Sequence, residues 1–476
     1  MHPAPDLIPA LREVVGPAGL ITDPVDTAPY VTDWRGLYRG RTQAVVRPAT
    51  TAELAEVVRR CAATGIGMVP QGGNTSMVGG AVPSEDGREI VISLARLNRV
   101  RDIDPIDLSI TVEAGVTLKA AQDAAAEAGC LLPLSIAAEG TAQIGGVLAT
   151  NAGGNNTVRY GNARDLVLGI EAVLPDGEVL HALRRLRKDN TGYCLRHLLV
   201  GSEGTLGIIT AAVLKLAPRY AETEVALCAL ASPDAALALF TRVHRQDPAA
   251  LVAFEYMAST GMDFVLRNIP GATLPFAAPA PHYALIELAS SRRNAGLRAA
   301  LEEILTAALE SDDIADAVIA ESGAQRAALW KLREEHAEAQ RREGASIKND
   351  VSVPVSRVPE LIRRAGDACK ALLPGVRVVP FGHLGDGNIH FNLAQPVDAD
   401  AEAFLARSHD VMDAVGAVVR DLDGSFSAEH GVGRLKPYMM AEWRGGAELA
   451  TMQRIKQALD PRGLMNPGKV LPQAIG

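Results

Sequence analysis

The chain has 476 residues, with 47 basic and 56 acidic side chains and a formal charge of −9 at neutral pH. A nucleic-acid binder displaces counterions through a basic face, and here the positive charges are scattered, so that class is excluded. With 48% hydrophobic and 22% charged residues the composition is that of a folded enzyme, and the length suggests two or three domains. Cys61, Cys130, Cys194, Cys228 and Cys369 form no CxxC pair, so neither a disulfide framework nor a thiolate cluster is expected. The start of the chain lacks a basic stretch followed by an apolar one, and longer apolar runs are broken by charge or proline. A cytoplasmic protein without a transmembrane segment is expected.

In chain order, residues 5–15 have helical spacing and the segment to Gly40 is irregular, which reads as an N-terminal arm, 1–37. From Ala44 short β-branched runs alternate with helices: strands at 44–47, 68–70, 89–94 and 109–113, helices at 51–64 and 117–128. Thr51, Glu53 and Glu56 fit a capped helix start. This part, 38–219, is one mixed α/β or α+β unit. After Pro218 the glycine clusters stop. Alanine-rich helices near 233–245, 290–311 and 323–342 alternate with strands at 223–230, 282–288 and 315–320, which suggests a sheet covered by helices over 220–420. A last helix, 446–459, precedes a turn-rich tail in a C-terminal segment, 421–476.

Three segments gather glycine beside hydroxyl and amide residues: Pro70–Gly80 (PQGGNTSMVGG), Pro133–Gly154 (PLSIAAEGTAQIGGVLATNAGG) and Gly201–Thr210 (GSEGTLGIIT). Glycine lets successive backbone N–H groups approach an anion, so such loops cradle a pyrophosphate without lysine. A Rossmann fingerprint and a P-loop are both absent from the sequence. The remaining reading is a large dinucleotide held by several loops.

GGNTSMVGG, ATNAGGNNTVRYG, RKDNTGY and GSEGTLGIIT closely resemble the flavin domain of the vanillyl-alcohol oxidase and PCMH superfamily. The branch resembled is the FAD-linked D-2-hydroxyacid dehydrogenases, which include D-2-hydroxyglutarate dehydrogenases, and the likeness spans almost the whole chain. It implies an α+β architecture: a PCMH-type FAD-binding domain, a cap domain with an antiparallel sheet, and a helical C-terminal segment returning to the flavin. It places Pro70, Gly72, Gly73, Asn74, Thr75, Gly79 and Gly80 around the pyrophosphate. Gly140, Thr141, Gly145, Gly146, Thr150, Asn151 and Gly153 would run along the cofactor, with Gly204 and Ile209 completing the site and Asn466 near the isoalloxazine. The first loop reads Gly72, Gly73, Asn74 where covalently tethered relatives often carry histidine, so dissociable FAD is expected.

Val376–Leu393 reads as two strands joined at Leu384–Asn388, where Asp386-Gly387 is a hairpin signal. His383 and His390 flank the turn, and Asn392 shares a face with His390. A distant segment, GSFSAEHGVGR, carries Glu429 beside His430. Two imidazoles and a carboxylate suit a catalytic zinc-type ion, although a histidine pair in a hairpin is more often structural, and spacing does not bring Glu429 to it. The resemblance implies more: His383, His390 and Glu429 as ligands of a divalent metal, zinc first, and His430 as the base that takes the hydroxyl proton while hydride passes to flavin N5.

In LWKLREEHAEAQRR and the following EGASIKND, Arg333 and Lys348 resemble the family's cationic pair for substrate carboxylates, with Asn392 and His430 also at the substrate. On residues alone Arg333 reads instead as paired with Glu334 or Glu338 on its own helix. Ala337 stands where the dehydrogenases of D-2-hydroxyglutarate have a threonine, which costs the distal carboxylate one hydrogen bond. The expected activity is oxidation of a D-2-hydroxy acid to the 2-oxo acid, D-2-hydroxyglutarate first. D-lactate, D-malate, an oxygen-reacting oxidase and a non-catalytic flavin subunit of a glycolate-oxidase-like complex are the alternatives. Expected partners are the small acid, an electron acceptor such as electron-transfer flavoprotein or a quinone, and, left open, a second copy of the chain.

Overall fold

The structure, a computed structural model, describes residues 7–472. Residues 5 and 6, where the first expected helix begins, lie outside the described residues; the helix is seen over Leu7–Val15. The chain divides into two compact units. One takes the chain up to Gly153, then Asn162–Arg219 and everything from Glu429 onward; the other takes Gly154–Gly161 and Tyr220–Ala428.

Besides a short antiparallel pair, Cys130–Leu131 with Ala217–Pro218, the first unit holds two larger sheets. Leu20–Ile21, Val45–Val46, Glu89–Ser93 and Gly67–Gln71 form one in that order, the last three strands parallel. The other is antiparallel, ordered Val100–Asp104, Ser109–Glu113, Ile208–Lys215, Val167–Val173, Val179–Ala182. Helix Thr51–Thr64 buries Leu54, Ala55, Val57, Val58 and Cys61, one stripe at helical spacing, in the core that also holds Met68, Ile90 and Ile92. Its cap is Thr50, not the expected Thr51: the Thr50 hydroxyl accepts from the Glu53 amide, while Thr51 Oγ1 donates to Glu171 at 2.7 Å. The tail returns to this core, where Met465 bridges Met68 in parallel.

The second unit is built on an eight-stranded sheet whose described pairings are all antiparallel. Its main path runs Asp316–Ile319, Glu222–Leu230, His282–Ser290, Leu251–Ala258, Arg377–Gly382, Asn388–Ala394 and Ser346–Ile347, with Asp350–Ser352 also paired to Asn388–Ala394. The expected 290–311 helix starts only at Leu297, after Gly296 in the left-handed region at φ 78°. The expected 323–342 helix breaks at Glu335 into Gly323–Glu334 and His336–Arg342. Residues 421–428 stay with this unit because Ser425 and Ser352 exchange backbone hydrogen bonds at 2.8 and 3.1 Å. Among the described residues no helix is long and apolar enough to cross a membrane.

Candidate active site

Strand Gly67–Gln71 runs into the first glycine loop. A Cβ on Gly73 would lie 2.0 Å from the Thr141 carbonyl oxygen, so the first and second loops meet backbone to backbone and only glycine fits there. The third loop closes on the first, since a Cβ on Gly204 would lie 3.0 Å from Pro70 Cγ. Asn466 ties them together: its Nδ2 donates to the carbonyls of Gly80 at 2.9 Å and Glu203 at 2.7 Å, and its amide donates to Met68.

What the cradle offers a ligand is mostly backbone. Among the described residues the amides of Gly72, Gly73, Asn74 and Thr75 donate to nothing in the protein, and a Cβ on Gly140 or Gly146 would meet open space. Gln143 Oε1 and Asn466 Oδ1 are buried acceptors without a protein partner. Buried polar atoms of this kind are costly unless a ligand or water answers them, so the donor and acceptor set fits a large polar ligand rich in phosphate and amide groups. Several of the expected side chains also bond within the protein. Asn74 Nδ2 donates to Pro29 and Thr32 carbonyls, Thr141 Oγ1 to Ala138, and Thr150 Oγ1 to Gly146; Asn151 Oδ1 accepts from the Arg164 amide. Gly79 packs on Tyr38, Gly145 on Ala114, and Ile209 is buried in its strand. These positions shape the loops.

The dipeptide Glu429-His430 opens the returning segment of the same unit. A Cβ on Gly153 would lie 3.1 Å from Glu429 Oε1. Beyond His430 the Glu203 carboxylate accepts the amides of Val432 at 2.7 Å and Gly433 at 2.8 Å. Burial pushes the Glu203 carboxyl up, opposed by those two amides and by the charge of Lys436.

In the second unit a buried carboxylate organises the polar centre. Glu255, in the middle of strand Leu251–Ala258, accepts from Arg333 Nε at 2.6 Å through Oε2, and its Oε1 lies 2.8 Å from His383 Nδ1. Burial alone would raise its carboxyl, but His383 and Arg333 outweigh burial and hold it at about 2. The Arg333 guanidinium lies over the Phe381 ring, 5.0 Å from its centre, and is 7% exposed. Phe381 also touches His390, and the two hairpin imidazoles meet edge-on with ring centres 5.5 Å apart. Strand register sets Asp350 opposite His390, with Oδ1 3.3 Å from His390 Nδ1.

The structure therefore brings His383, His390 and Arg333 into one cluster. Arg333 does not pair with Glu334 or Glu338: Glu338 is held by Arg341 and Arg342, and Arg333 turns inward to Glu255. Asn392 donates from Nδ2 to Gln340 Oε1 at 3.1 Å, and Lys348 is half-buried between two short strands. Sequence reasoning missed Glu255, Asp350, Gln143, Glu203 and His336. His336 is fully buried, meets the Phe381 ring at a tilt with centres 4.8 Å apart, and has its ring pushed down to about 3 by burial and by Arg333. A single acid in the apolar run LVAFEYMA was the available signal for Glu255, because a lone charge in a buried strand needs a partner.

Family models match both parts of the chain: an FAD binding domain over residues 42–183, and the C-terminal domain of FAD linked oxidases over residues 219–470. The class is thus an FAD-linked oxidoreductase of PCMH-type fold. Among solved structures, p-cresol methylhydroxylase with substrate bound matches at a TM-score of 0.77 and 16% identity, covering 98% of this chain and 96% of that one. An alkyldihydroxyacetonephosphate synthase matches at 0.75 and 17%, covering 98% and 86%. These likenesses concern the fold alone. A D-2-hydroxyglutarate dehydrogenase of Xanthomonas citri pv. viticola is 39% identical over 97% of this chain and 96% of its own length. The mitochondrial D-2-hydroxyglutarate dehydrogenase of Bos taurus is 38% identical over 98% and 84%, and a putative mitochondrial D-lactate dehydrogenase of Schizosaccharomyces pombe 36% over 94% and 85%. The chain belongs to the FAD-linked D-2-hydroxyacid dehydrogenase family.

Proposed function

We propose that this chain is an FAD- and divalent-metal-dependent dehydrogenase that oxidises a D-2-hydroxy acid to the 2-oxo acid, with D-2-hydroxyglutarate as the first substrate. The observation that carries the site assignment is that one buried carboxylate, Glu255, holds both a predicted metal ligand, His383, and a predicted carboxylate anchor, Arg333. A carboxylate on the second ring nitrogen is how metal-ligating histidines are commonly oriented. His383, His390 and Glu429 are the assigned ligands, with Asp350 beside His390. Two His and one Glu suit zinc, manganese or cobalt, with zinc first.

The glycine loops, Gln143 and Asn466 hold the dinucleotide without a covalent bond. When bound, FAD supplies a hydride acceptor and the divalent ion a Lewis acid for the hydroxyl oxygen. The chain's own residues do the rest. Arg333 and Lys348 take the substrate's carboxylates, Asn392 adds an amide, and His430 accepts the hydroxyl proton as the C–H bond breaks. Glu255 keeps Arg333 and His383 in fixed orientations while occupying the Arg333 Nε–H. Electron-transfer flavoprotein or a quinone as the acceptor, a cytoplasmic location and a homodimer belong to the same reading.

Ala337 supports a second reading, a D-lactate or D-malate dehydrogenase, because it removes a hydroxyl from the distal-carboxylate side; the Schizosaccharomyces pombe relative is named for D-lactate. Dye reduction with a substrate panel separates the two. The first reading expects kcat/KM for D-2-hydroxyglutarate to exceed that for D-lactate and D-malate by at least about tenfold, the worth of roughly one hydrogen bond. Equal or reversed ratios would assign the site to the smaller acids.

A further inference from the structure

The segment that carries Glu429 and His430 has almost no regular structure of its own, and Gly431 and Gly433 both lie in the left-handed region, at φ 78° and 52°. Such a backbone turns successive amides toward one point and forms a nest for an anion. The anion here is part of the chain. Glu203 takes the Val432 amide on Oε1 at 2.7 Å and the Gly433 amide on Oε2 at 2.8 Å. The fit leaves no slack, since a Cβ on Gly431 would lie 2.6 Å from Glu203 Oε1.

Glu203 is itself pinned. It sits in the GSEG turn at φ 51°, an uncommon conformation for a residue other than glycine. Its amide donates to Ala149 at 2.8 Å, and its carbonyl accepts from Asn466 at 2.7 Å. The second glycine loop, the third glycine loop, the tail asparagine and the His430 segment therefore converge on one residue. Holding a half-buried carboxylate on backbone amides withdraws it partly from water at a cost in free energy, and a loop needing only closure could use a neutral side chain. Charge-assisted bonds to two consecutive amides fix position and direction together.

We propose that Glu203 is the positioning residue for His430: its carboxylate clamps the Val432 and Gly433 amides and thereby sets the imidazole over the cofactor cradle. This rests on His430 being the base, as assigned above. Glu203→Gln keeps the size of the side chain but replaces one acceptor by a donor, so one amide loses its partner.

Three measurements on the full-length flavoprotein test it. Hydrogen exchange of the 429–435 peptide should speed up at least about tenfold in Glu203→Gln while the 251–258 strand keeps its protection. Stopped-flow flavin reduction by D-2-hydroxyglutarate should slow about 10- to 100-fold with little change in the substrate concentration at half-maximal rate. In a His430→Ala background the same substitution should cost nothing further. A full additional loss in the double variant, loss of bound FAD in Glu203→Gln, or unchanged exchange at 429–435 would overturn the proposal. Wild-type reduction in His430→Ala would instead remove the base assignment, and so separates failure of that reading from failure of this one.

Discussion

Glu255 illustrates how one side chain sets two others. Both its oxygens are engaged, one by an arginine that is 7% exposed and one by a histidine that is 5% exposed. Removing the charge leaves the Arg333 guanidinium buried against Phe381 without its counter-ion, and breaking a buried pair from one side typically costs about 3–5 kcal/mol. Glu255→Gln should lower stability toward that range, read by urea denaturation, and should weaken metal affinity about 10- to 100-fold, because the outer partner of His383 is altered. Undiminished metal binding would show that Glu255 does not orient a ligand. The hairpin histidines were legible in the sequence from Asp386-Gly387 and the alternation around it. Asp350 was not, since nothing in the local pattern of KNDVS says that its strand pairs opposite His390.

At the scale of elements, the cradle is a contact between loops rather than a set of side chains. The sequence displayed its glycines but not the distinction among them. Gly73 is indispensable because of a carbonyl 2.0 Å from where its Cβ would be, while Gly140 and Gly146 face open space. Gly73→Ala forces the two loops apart and should yield a folded protein that elutes pale, with FAD occupancy well below wild type in its absorbance spectrum; full occupancy would mean that the loops do not hold the dinucleotide together. Strand Leu251–Ala258 explains what periodicity could not reveal. All eight of its residues are buried, so no alternation marks it, and the acid at its centre lay in an element that pattern reading passed over. Helices Val358–Leu372 and Ser408–Asp421 were likewise passed over, whereas Thr51–Thr64, with a clean stripe and a glycine stop, was read to the residue.

For the whole molecule, the composition changes after Pro218, and the first compact unit pauses at Arg219. The discontinuity was less legible in the sequence. Residues 154–161 join the second unit from inside a glycine-rich motif, and the return comes at Glu429. Long-range pairing decides this, through Ser425 with Ser352 before the boundary and Met465 with Met68 after it. Within the second unit the Ala428 amide donates to the Asp350 backbone carbonyl at 3.3 Å, one residue before Glu429. The proposal of metal-assisted oxidation by a flavoprotein is the one on which the other predictions depend. Anaerobic mixing of the purified protein with D-2-hydroxyglutarate reads it directly. The visible flavin absorbance should bleach with the D but not the L enantiomer, stop bleaching after chelation, and recover on adding back a divalent ion. Bleaching at the same rate after complete metal removal, or a folded protein that carries no flavin, would contradict it.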